Sequence, residues 1–299
     1  KRGEYVKNMY DSIPFKLTGS QIKVLQEIRS DLMSNKQMNR LLQGDVGSGK
    51  TIVATLIASI IIGNDSQVAV LAPTELLAEQ HYRSFKKYCD LVDIKCYLLT
   101  GGISIAQKNE YLQKLKSGNI QIIIGTHALI QDKVIFKDLG LIIIDEQHRF
   151  GVEQRKKIID KGYNPEILAM TATPIPRTLA FTYHGDIDIS IIDELPKNRK
   201  AITTKIVQEE QLDEVYKFVK EILNKGQQCF VVYPLIEESE NSDLKASKSG
   251  YDFLKTIFKD YCIGYLDGKM KMDDRNKIMD LFSKNKINIL VSTTVIEVG

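Results

Sequence analysis

The segment Gly44-Asp-Val-Gly-Ser-Gly-Lys-Thr51 restricts the possible folds of this chain more than any other feature of the sequence. It fits the pattern G-x-x-x-x-G-K-[ST], with an apolar, strand-like segment before it and a helical segment after it. The glycines let the backbone curl so that successive N–H groups face inward, and the following helix adds its positive N-terminal end. The segment therefore predicts a phosphate-binding loop at the end of a strand.

Two side chains of this loop have the chemistry to act on a bound nucleotide. We expect Lys50 to reach the β- and γ-phosphates and the Thr51 hydroxyl to ligate Mg²⁺. ATP and Mg²⁺ are therefore the expected cofactors. The residues expected to bind the nucleotide through this loop are Gly44, Gly47, Ser48, Gly49, Lys50 and Thr51.

Two adjacent carboxylates, Asp145 and Glu146, directly follow the apolar run Leu141–Ile144. Ligands of α/β proteins bind at the carboxyl ends of the strands, where such residues lie. Asp145 is expected to hold Mg²⁺ through its water shell, and Glu146 to accept the proton of the attacking water. Acidic residues also follow buried strands for structural reasons, but the loop at Gly44–Thr51 favours the catalytic interpretation. We therefore predict Lys50, Asp145 and Glu146 as the catalytic residues.

Short apolar runs alternate with amphipathic helical stretches along the whole chain, which predicts an α/β fold with parallel sheets. The expected helices include Thr51–Ile62, Glu75–Tyr88, Glu209–Asn224 and Asp273–Phe282. The expected strands are Leu41–Gln43, Val68–Ala72, Ile120–Gly125, Leu141–Asp145, Ile167–Thr171, Ile202–Val207, Cys229–Tyr233, Cys262–Leu266 and Ile287–Ser292.

The alternation pauses once, at the polar, proline-containing stretch Asp193–Lys200. A chain of 299 residues is long enough for two cores, so we predict one domain over 1–195 and a second over 196–299. A second polar stretch, Glu237–Gly250, is predicted to be a mobile loop.

Composition excludes little beyond a membrane span, since no apolar run approaches the length of about 20 residues that a spanning helix needs. Four scattered cysteines with no paired spacing indicate free thiols in a reducing cytoplasm. A net charge of +3 does not by itself announce a nucleic-acid partner.

Further segments resemble, in order, the conserved motifs of superfamily 2 helicases. Ala72–His81 is similar to motif Ia, Gly125–Leu129 to motif Ib, Thr171–Pro174 to motif III and Ser292–Gly299 to the start of motif V. The resemblance implies two RecA-like domains of the P-loop NTPase class. The first would bind ATP, and the second would stop after motif V, incomplete at its C-terminus.

The longer segments Arg40–Thr51, Asp145–Arg155 and Met170–Thr178 narrow the resemblance to the RecG family of bacterial branch-migration helicases. Transcription-repair coupling factors are the nearest alternative, but their second motif usually reads Asp-Glu-Glu-His, so Gln147 favours the RecG family. The resemblance extends over nearly the whole chain.

The segment Thr18-Gly-Ser-Gln21 supports two compatible interpretations. From the residues alone it is a helix capping box, with Thr18 as the N-cap and Gln21 three residues later. The resemblance implies that Gln21 also reads the adenine edge. Phe15 would stack on the base, although a core aromatic is an equally simple explanation.

The resemblance also implies residues that touch the DNA backbone or couple DNA to ATP. For those that follow strands of the first domain a role as turn residues remains open, and for His148 a structural role. Gln147 and His148 would connect the ATP site to motif III through Thr171 and Thr173. Asp267 stands where the family has His, which puts a phosphate contact by that side chain in doubt. The full set of DNA-binding or coupling candidates is Thr74, Thr100, Gly101, Thr126, His127, Gln147, His148, Thr171, Thr173, Lys269, Thr293, Thr294 and Glu297.

The function that the resemblance implies is an ATP-dependent, double-stranded-DNA translocase acting on branched DNA in recombination and repair. The alternatives are a translocase like the transcription-repair coupling factors, or a module that clamps nucleic acid when nucleotide binds. An RNA helicase is disfavoured because the acid pair does not continue as Asp-Glu-Ala-Asp. We expect a cytoplasmic monomer without membrane contact.

The chain begins without Met and ends at Gly299 within an apolar stretch, which suggests a fragment. Superfamily 2 motors supply arginines to the ATP site from motif VI, beyond motif V. We therefore expect these residues alone to bind nucleotide but to hydrolyse it slowly.

Overall fold

The computed structural model of the chain describes residues 3–173, 187–194, 202–233, 240–267, 270 and 272–293. It forms two compact units, Lys1–Lys200 with Gly299, and Ala201–Val298. Most of the predicted boundary stretch, 195–200, lies outside the described residues. The domain limits taken from the sequence therefore stay a prediction.

The first unit is built on a seven-stranded sheet in the order β3-β4-β2-β5-β6-β1-β7, and all of its strand pairs are parallel. Its central strands are continuous apolar rows because helices cover both faces. The strands are β1 Asn39–Gly44, β2 Gln67–Leu71, β3 Cys96–Leu99, β4 Ile122–Gly125, β5 Leu139–Asp145, β6 Glu166–Thr171 and β7 Asp188–Ile192.

The described helices of the first unit are α1 Glu4–Ser12, α2 Gly19–Leu32, α3 Lys50–Ile62, α4 Glu75–Cys89, α5 Ile105–Ser117 and α6 Val152–Ile159. Helix α3 is apolar on nearly every face and is buried almost throughout. It packs with α2 and α4 in one core cluster, whereas α5 and α6 contribute to a second cluster that includes the other faces of β2 and β5. The parallel α/β prediction is thereby confirmed.

Two strands of this sheet, β3 and β7, were not predicted from the sequence. They are its two edge strands. β3 has four residues, and β7 begins with an exposed aspartate and is buried only at alternate positions near its end. Short, half-covered strands do not need the long apolar run that identified the central strands.

The second unit contains a three-stranded parallel sheet in the order β8-β10-β9. Its strands are β8 Cys229–Tyr233, β9 Ile263–Leu266 and β10 Ile289–Thr293, and its helices are α7 Leu212–Asn224, α8 Glu240–Ile257 and α9 Met272–Ser283. This sheet confirms the prediction of a second parallel α/β unit.

Two sequence predictions in this unit are wrong. Ile202–Val207 is not a strand: it is irregular, Ile202 is about three-quarters exposed and Ile206 is almost fully exposed. No strand of the described residues pairs with it, and β-branched residues alone do not make a strand without such a partner. The predicted loop Glu237–Gly250 is helical from Glu240 onward, because it continues into a segment that buries Leu254 in the core.

All four cysteines are free thiols. No helix within the described residues is long and apolar enough to cross a membrane.

Candidate nucleotide-binding and catalytic site

The order of the strands brings the phosphate loop and the acid pair to one edge of the first sheet. β6 lies between β1 and β5, with Gln43 in register with Thr171 and Asp145 in register with Met170. Because these strands are parallel, their last residues lie at the same edge of the sheet, the carboxyl edge. These residues are Gly44, Asp145 and Thr171. Residues separated by about a hundred positions in the chain therefore form one site.

The loop after β1 has the backbone geometry of a phosphate cradle. Gly47 and Gly49 adopt φ angles of 79° and 94°, which favour glycine strongly. A Cβ at Gly49 would also lie 2.3 Å from Gln21 Nε2, and one at Gly44 would lie 2.6 Å from Ser48 Oγ. Ser48 is fully buried, and its hydroxyl has no hydrogen-bond partner among the described residues. A buried, unpartnered donor in a tight glycine loop fits phosphate oxygens.

Lys50 is folded back onto this loop. Its Nζ donates hydrogen bonds to the carbonyl oxygens of Gly44, at 2.6 Å, and Asp45, at 3.2 Å. Burial lowers the pKa of Lys50, and the carboxylate of Asp145 acts in the opposite direction. The ammonium group thus lies within electrostatic reach of the acid pair, and half-buried Thr51 follows it in the first turn of α3.

Gln21 connects the capping box of α2 to the phosphate loop. The side chains of Thr18 and Gln21 cap the helix reciprocally, as predicted. Gln21 Nε2 also donates to the carbonyl of Ser48 at 2.7 Å, and the side chain is 4% exposed. Phe15 is about half exposed, so it is not a core aromatic. The adenine roles of Gln21 and Phe15 remain predictions.

Asp145 is buried and makes a contact that the sequence did not indicate. His81 Nε2 lies 2.7 Å from Asp145 Oδ2. His81 ends the motif Ia-like segment, on the second turn of α4. Nothing in its spacing distinguishes it from a surface position of that helix. Only the tertiary structure, which brings this position of α4 to the end of β5, identifies the pair.

Glu146 occupies a strained position and receives two hydrogen bonds. Its φ is 45°, a left-handed conformation that is uncommon for a residue other than glycine. The hydroxyl of Thr171 donates to Oε2 at 2.9 Å, and the backbone N–H of Ala172 donates to Oε1 at 3.0 Å. The motif III segment therefore holds both oxygens of the expected general base.

Glu146 of the acid pair contacts motif III directly. This contact is additional to the link that the family resemblance implies for Gln147 and His148. His148 is exposed, with Nδ1 3.5 Å from Glu146 Oε2, and Gln147 is buried. Thr171 Oγ1 also lies 2.9 Å from Thr173 Oγ1. A coupling role for these side chains remains a prediction.

The expected DNA-facing residues of the first unit lie on the other half of the same sheet edge. They follow β2, β3 and β4, which are neighbours in the order β3-β4-β2. Thr74, Gly101 and His127 are exposed, whereas Thr100 and Thr126 are buried. The structure thus separates the nucleotide candidates, at β5-β6-β1, from the DNA candidates beside them.

Two hydrogen bonds connect residues at this half of the edge. Thr74 is the N-cap of α4 and accepts a hydrogen bond from the N–H of Leu77. Glu75 Oε1 accepts a hydrogen bond of 2.7 Å from the N–H of Gly101, a contact that the sequence did not reveal. Thr126 Oγ1 is buried without a partner among the described residues.

In the second unit, the structure describes only part of the predicted set. Thr293 is buried at the end of β10, and Asp267 accepts a hydrogen bond from Arg275 through its backbone carbonyl. Lys269, Thr294 and Glu297 lie outside the described residues.

Comparison with known protein families agrees with this geometry. The DEAD/DEAH box helicase model matches residues 18–181, and the helicase conserved C-terminal domain matches residues 211–299. The ATP-dependent DNA helicase RecG of Aquifex aeolicus is 51% identical over 298 residues, which are 99% of this chain and 38% of that protein. RecG of Bacillus subtilis is 48% identical over 297 residues, 99% of this chain and 44% of that protein. The chain therefore spans less than half the length of these relatives.

Solved structures give the same result. A RecG bound to a three-way DNA junction superposes with a TM-score of 0.77 at 42% identity, over 99% of this chain and 39% of that chain. Mss116p bound to single-stranded RNA and AMP-PNP has a TM-score of 0.72 at 21% identity, over 98% of this chain and 63% of that chain, and shows the fold alone. The chain belongs to the DEAD/DEAH box helicase family, and within that family it is similar to the RecG helicases over almost its entire length.

Proposed function

We propose that this chain is the ATP-hydrolysing motor of a DNA helicase. The observation that supports this most directly is the convergence of Lys50, Asp145 and Glu146 at the carboxyl edge of one sheet. Lys50 would leave its carbonyl contacts in the loop and turn to the β- and γ-phosphates. A bound Mg²⁺ would supply charge neutralisation for the phosphates. Thr51 would ligate it directly and Asp145 through its water shell.

Glu146 is the general base in this proposal. The hydroxyl of Thr171 and the N–H of Ala172 restrict the rotation of its carboxylate. The oriented carboxylate would then accept a proton from the attacking water. Because both donors belong to the motif III segment, a shift of that segment would change the position of the base. Thr171 and Thr173 would in this way link hydrolysis to movement on DNA, with Gln147 and His148 beside them.

We propose that the strand ends of β3, β4 and β2 contact the phosphate backbone of DNA. Exposed side chains at Thr74 and His127 suit contacts that do not read base sequence. The N–H of Gly101 would join them on leaving Glu75. RecG with 42% identity has been solved bound to a three-way DNA junction, which supports branched DNA as the substrate. The complete protein would act in the cytoplasm as a double-stranded-DNA translocase that regresses forks and migrates Holliday junctions in recombination and repair.

The roles of the remaining candidates follow from the same proposal. Gln21 and Phe15 would select adenine. Lys269, Thr293, Thr294 and Glu297 would contribute DNA contact or ATP-linked movement from the second domain, which we place at 196–299 after a first domain at 1–195.

The test uses the complete protein that contains this chain, with a synthetic three-way junction and a linear duplex of equal length. Lys50→Ala is expected to lower DNA-stimulated ATP hydrolysis by at least about 10²-fold, since it removes a charge that stabilises the transferring phosphate. Junction binding should stay close to that of the wild type. Lys23→Ala, an exposed lysine on α2, is the matched control and should retain full activity.

Three outcomes would contradict this proposal. Equal ATP-driven movement on linear and branched DNA would favour a translocase like the transcription-repair coupling factors. ATP binding that tightens the grip on DNA, without strand displacement or fork regression, would favour a nucleotide-gated binding module. Loss of the folded state in Lys50→Ala would mean that the loop is structural.

A further inference from the structure

His81 lies close to the acid pair but belongs to none of the groups expected to touch nucleotide. Its Nε2 is 2.7 Å from Asp145 Oδ2, and both side chains are about nine-tenths buried, with 11% exposure each. At this distance, the tautomer that carries a proton on Nε2 donates a strong hydrogen bond to the carboxylate. His81 therefore restricts which way the Asp145 side chain can turn.

The histidine contacts Oδ2 of Asp145 and does not contact Oδ1. A carboxylate that holds a metal through water needs only one oxygen for that purpose, and groups bonded to its other oxygen fix its orientation. Lys50 acts electrostatically on the same carboxylate from the phosphate loop. Asp145 thus interacts electrostatically with a cation on α3 and contacts an imidazole on α4.

The helix that carries His81 is itself held firmly. Thr74 caps its N-terminus, and Glu75 binds the N–H of Gly101. Its apolar face buries Leu77 and Phe85 against the sheet. A side chain on an anchored helix is a better positioning group than one on a loop, because its own location varies little.

We propose that His81 is a positioning residue. Its Nε2–H orients the Asp145 carboxylate so that the protein with bound nucleotide can bind Mg²⁺. This inference rests on the nucleotide site of the proposed function and extends it to a residue on the neighbouring helix. Its effect is on metal binding, so it can be measured without following helicase activity.

The experiment measures Mn²⁺ binding by electron paramagnetic resonance, using the complete protein saturated with ADP. His81→Leu keeps a side chain of similar bulk and removes the donor, and it is expected to weaken Mn²⁺ affinity by about tenfold or more. ADP affinity in excess EDTA should change less than about twofold, since the loop contacts remain. Arg83→Leu, at an exposed position of the same helix, is the control and should match the wild type.

A pair of amide variants separates orientation of the carboxylate from general damage to the helix. In His81→Gln, the amide nitrogen can occupy the place of Nε2, so affinity for Mn²⁺ should return to within about threefold of the wild type. In His81→Asn the amide is too short, and the loss should persist. This comparison also applies if His81→Leu does not fold.

Equal Mn²⁺ affinity in the wild type, His81→Leu and His81→Asn would overturn the inference while leaving the nucleotide site intact. Weak binding in both amide variants would also overturn it, because only a structural role would remain. Failure of the wild type to bind ADP in EDTA would instead contradict the proposed function.

Discussion

Buried polar groups are bonded differently at the carboxyl ends and at the amino ends of the strands in the seven-stranded sheet, which we call its carboxyl edge and its amino edge. At the carboxyl edge, the hydroxyls of Ser48 and Thr126 are buried and have no hydrogen-bond partner among the described residues, and Glu146 adopts a left-handed conformation. At the amino edge, the buried amide of Gln67 makes four hydrogen bonds. It donates to the carbonyls of Leu115 and Ile120, and accepts from two backbone N–H groups.

Other polar groups at the amino edge are also satisfied. The Arg40 guanidinium donates two hydrogen bonds to Asp31, at 2.6 and 3.0 Å, and one to Ser190 at 2.9 Å. Glu166 accepts from the N–H of Met38. Arg40 lies in a segment that carried the resemblance to the RecG family, yet its contacts explain it as a fold-stabilising residue.

The difference indicates that the carboxyl edge of the sheet serves ligand binding and that the amino edge stabilises the fold. A buried polar group without a partner costs stability, so it is expected where a ligand will supply the missing bond. A group whose hydrogen bonds are all made within the protein stabilises the fold and has no donor or acceptor free for a substrate. Changes at the carboxyl edge should therefore alter activity, whereas changes at the amino edge should alter stability.

The largest expected effect is that of Glu146→Gln. The amide can still accept from Ala172 and bond Thr171, but it cannot take a proton from water. ATP hydrolysis by the complete protein should fall by about 10²–10⁴-fold, with an unfolding temperature close to that of the wild type. Steady-state phosphate release and thermal denaturation measure the two quantities. Glu153→Gln, which changes an exposed carboxylate on α6, is the control. Full turnover by the Glu146→Gln protein would contradict the distinction between the two edges.

Gln67→Ala should give the next largest effect, on stability alone. It removes one hydrogen bond from each of four backbone groups, although the Leu115 carbonyl still accepts from the N–H of Gly118. We expect a loss of roughly 2–4 kcal/mol in the free energy of unfolding. Urea denaturation of the complete protein, followed through this domain, measures the loss. Hydrolysis below the transition should be unchanged, and the exposed Gln113→Ala should differ little from the wild type. A Gln67→Ala protein that stays fully stable but loses ATPase activity would reverse the assignment of this edge.

The smallest effect is the pH dependence contributed by Glu166. Burial raises the pKa of Glu166 above its ordinary value of 4.5, and the hydrogen bond from Met38 partly opposes this. The folded state therefore binds the proton more tightly than the unfolded chain. The associated stability is fully present below the unfolded pKa and is lost as pH rises through the raised folded pKa.

Glu166→Gln should remove this dependence, because an amide does not titrate. Urea denaturation at several pH values from 4.5 to 8 should show a smaller decline in stability for the variant than for the wild type. Glu110→Gln, on the exposed face of α5, provides the baseline. Identical pH profiles for the wild type and Glu166→Gln would mean that Glu166 titrates as it does in the unfolded chain.

Much of the fold and of the nucleotide site could be predicted because the relevant signals are local. The loop Gly44–Thr51 needs its glycines and lysine in adjacent positions, and the capping box Thr18–Gln21 needs a spacing of three residues. Continuous apolar runs identified the central strands, since those strands are covered on both faces. The edge strands β3 and β7 lacked this signal. Ile202–Val207 is rich in β-branched residues, but no strand of the described residues pairs with it.

The sequence by itself determined that a phosphate loop, an acid pair and a parallel α/β fold are present. The order of the strands, and with it the meeting of these segments, was decided only by tertiary structure. So were the contacts of His81 with Asp145, of Glu75 with Gly101 and of Gln67 with its four partners. Each of these joins residues far apart in the chain, and no local spacing encodes a contact that exists only once helices and strands have packed.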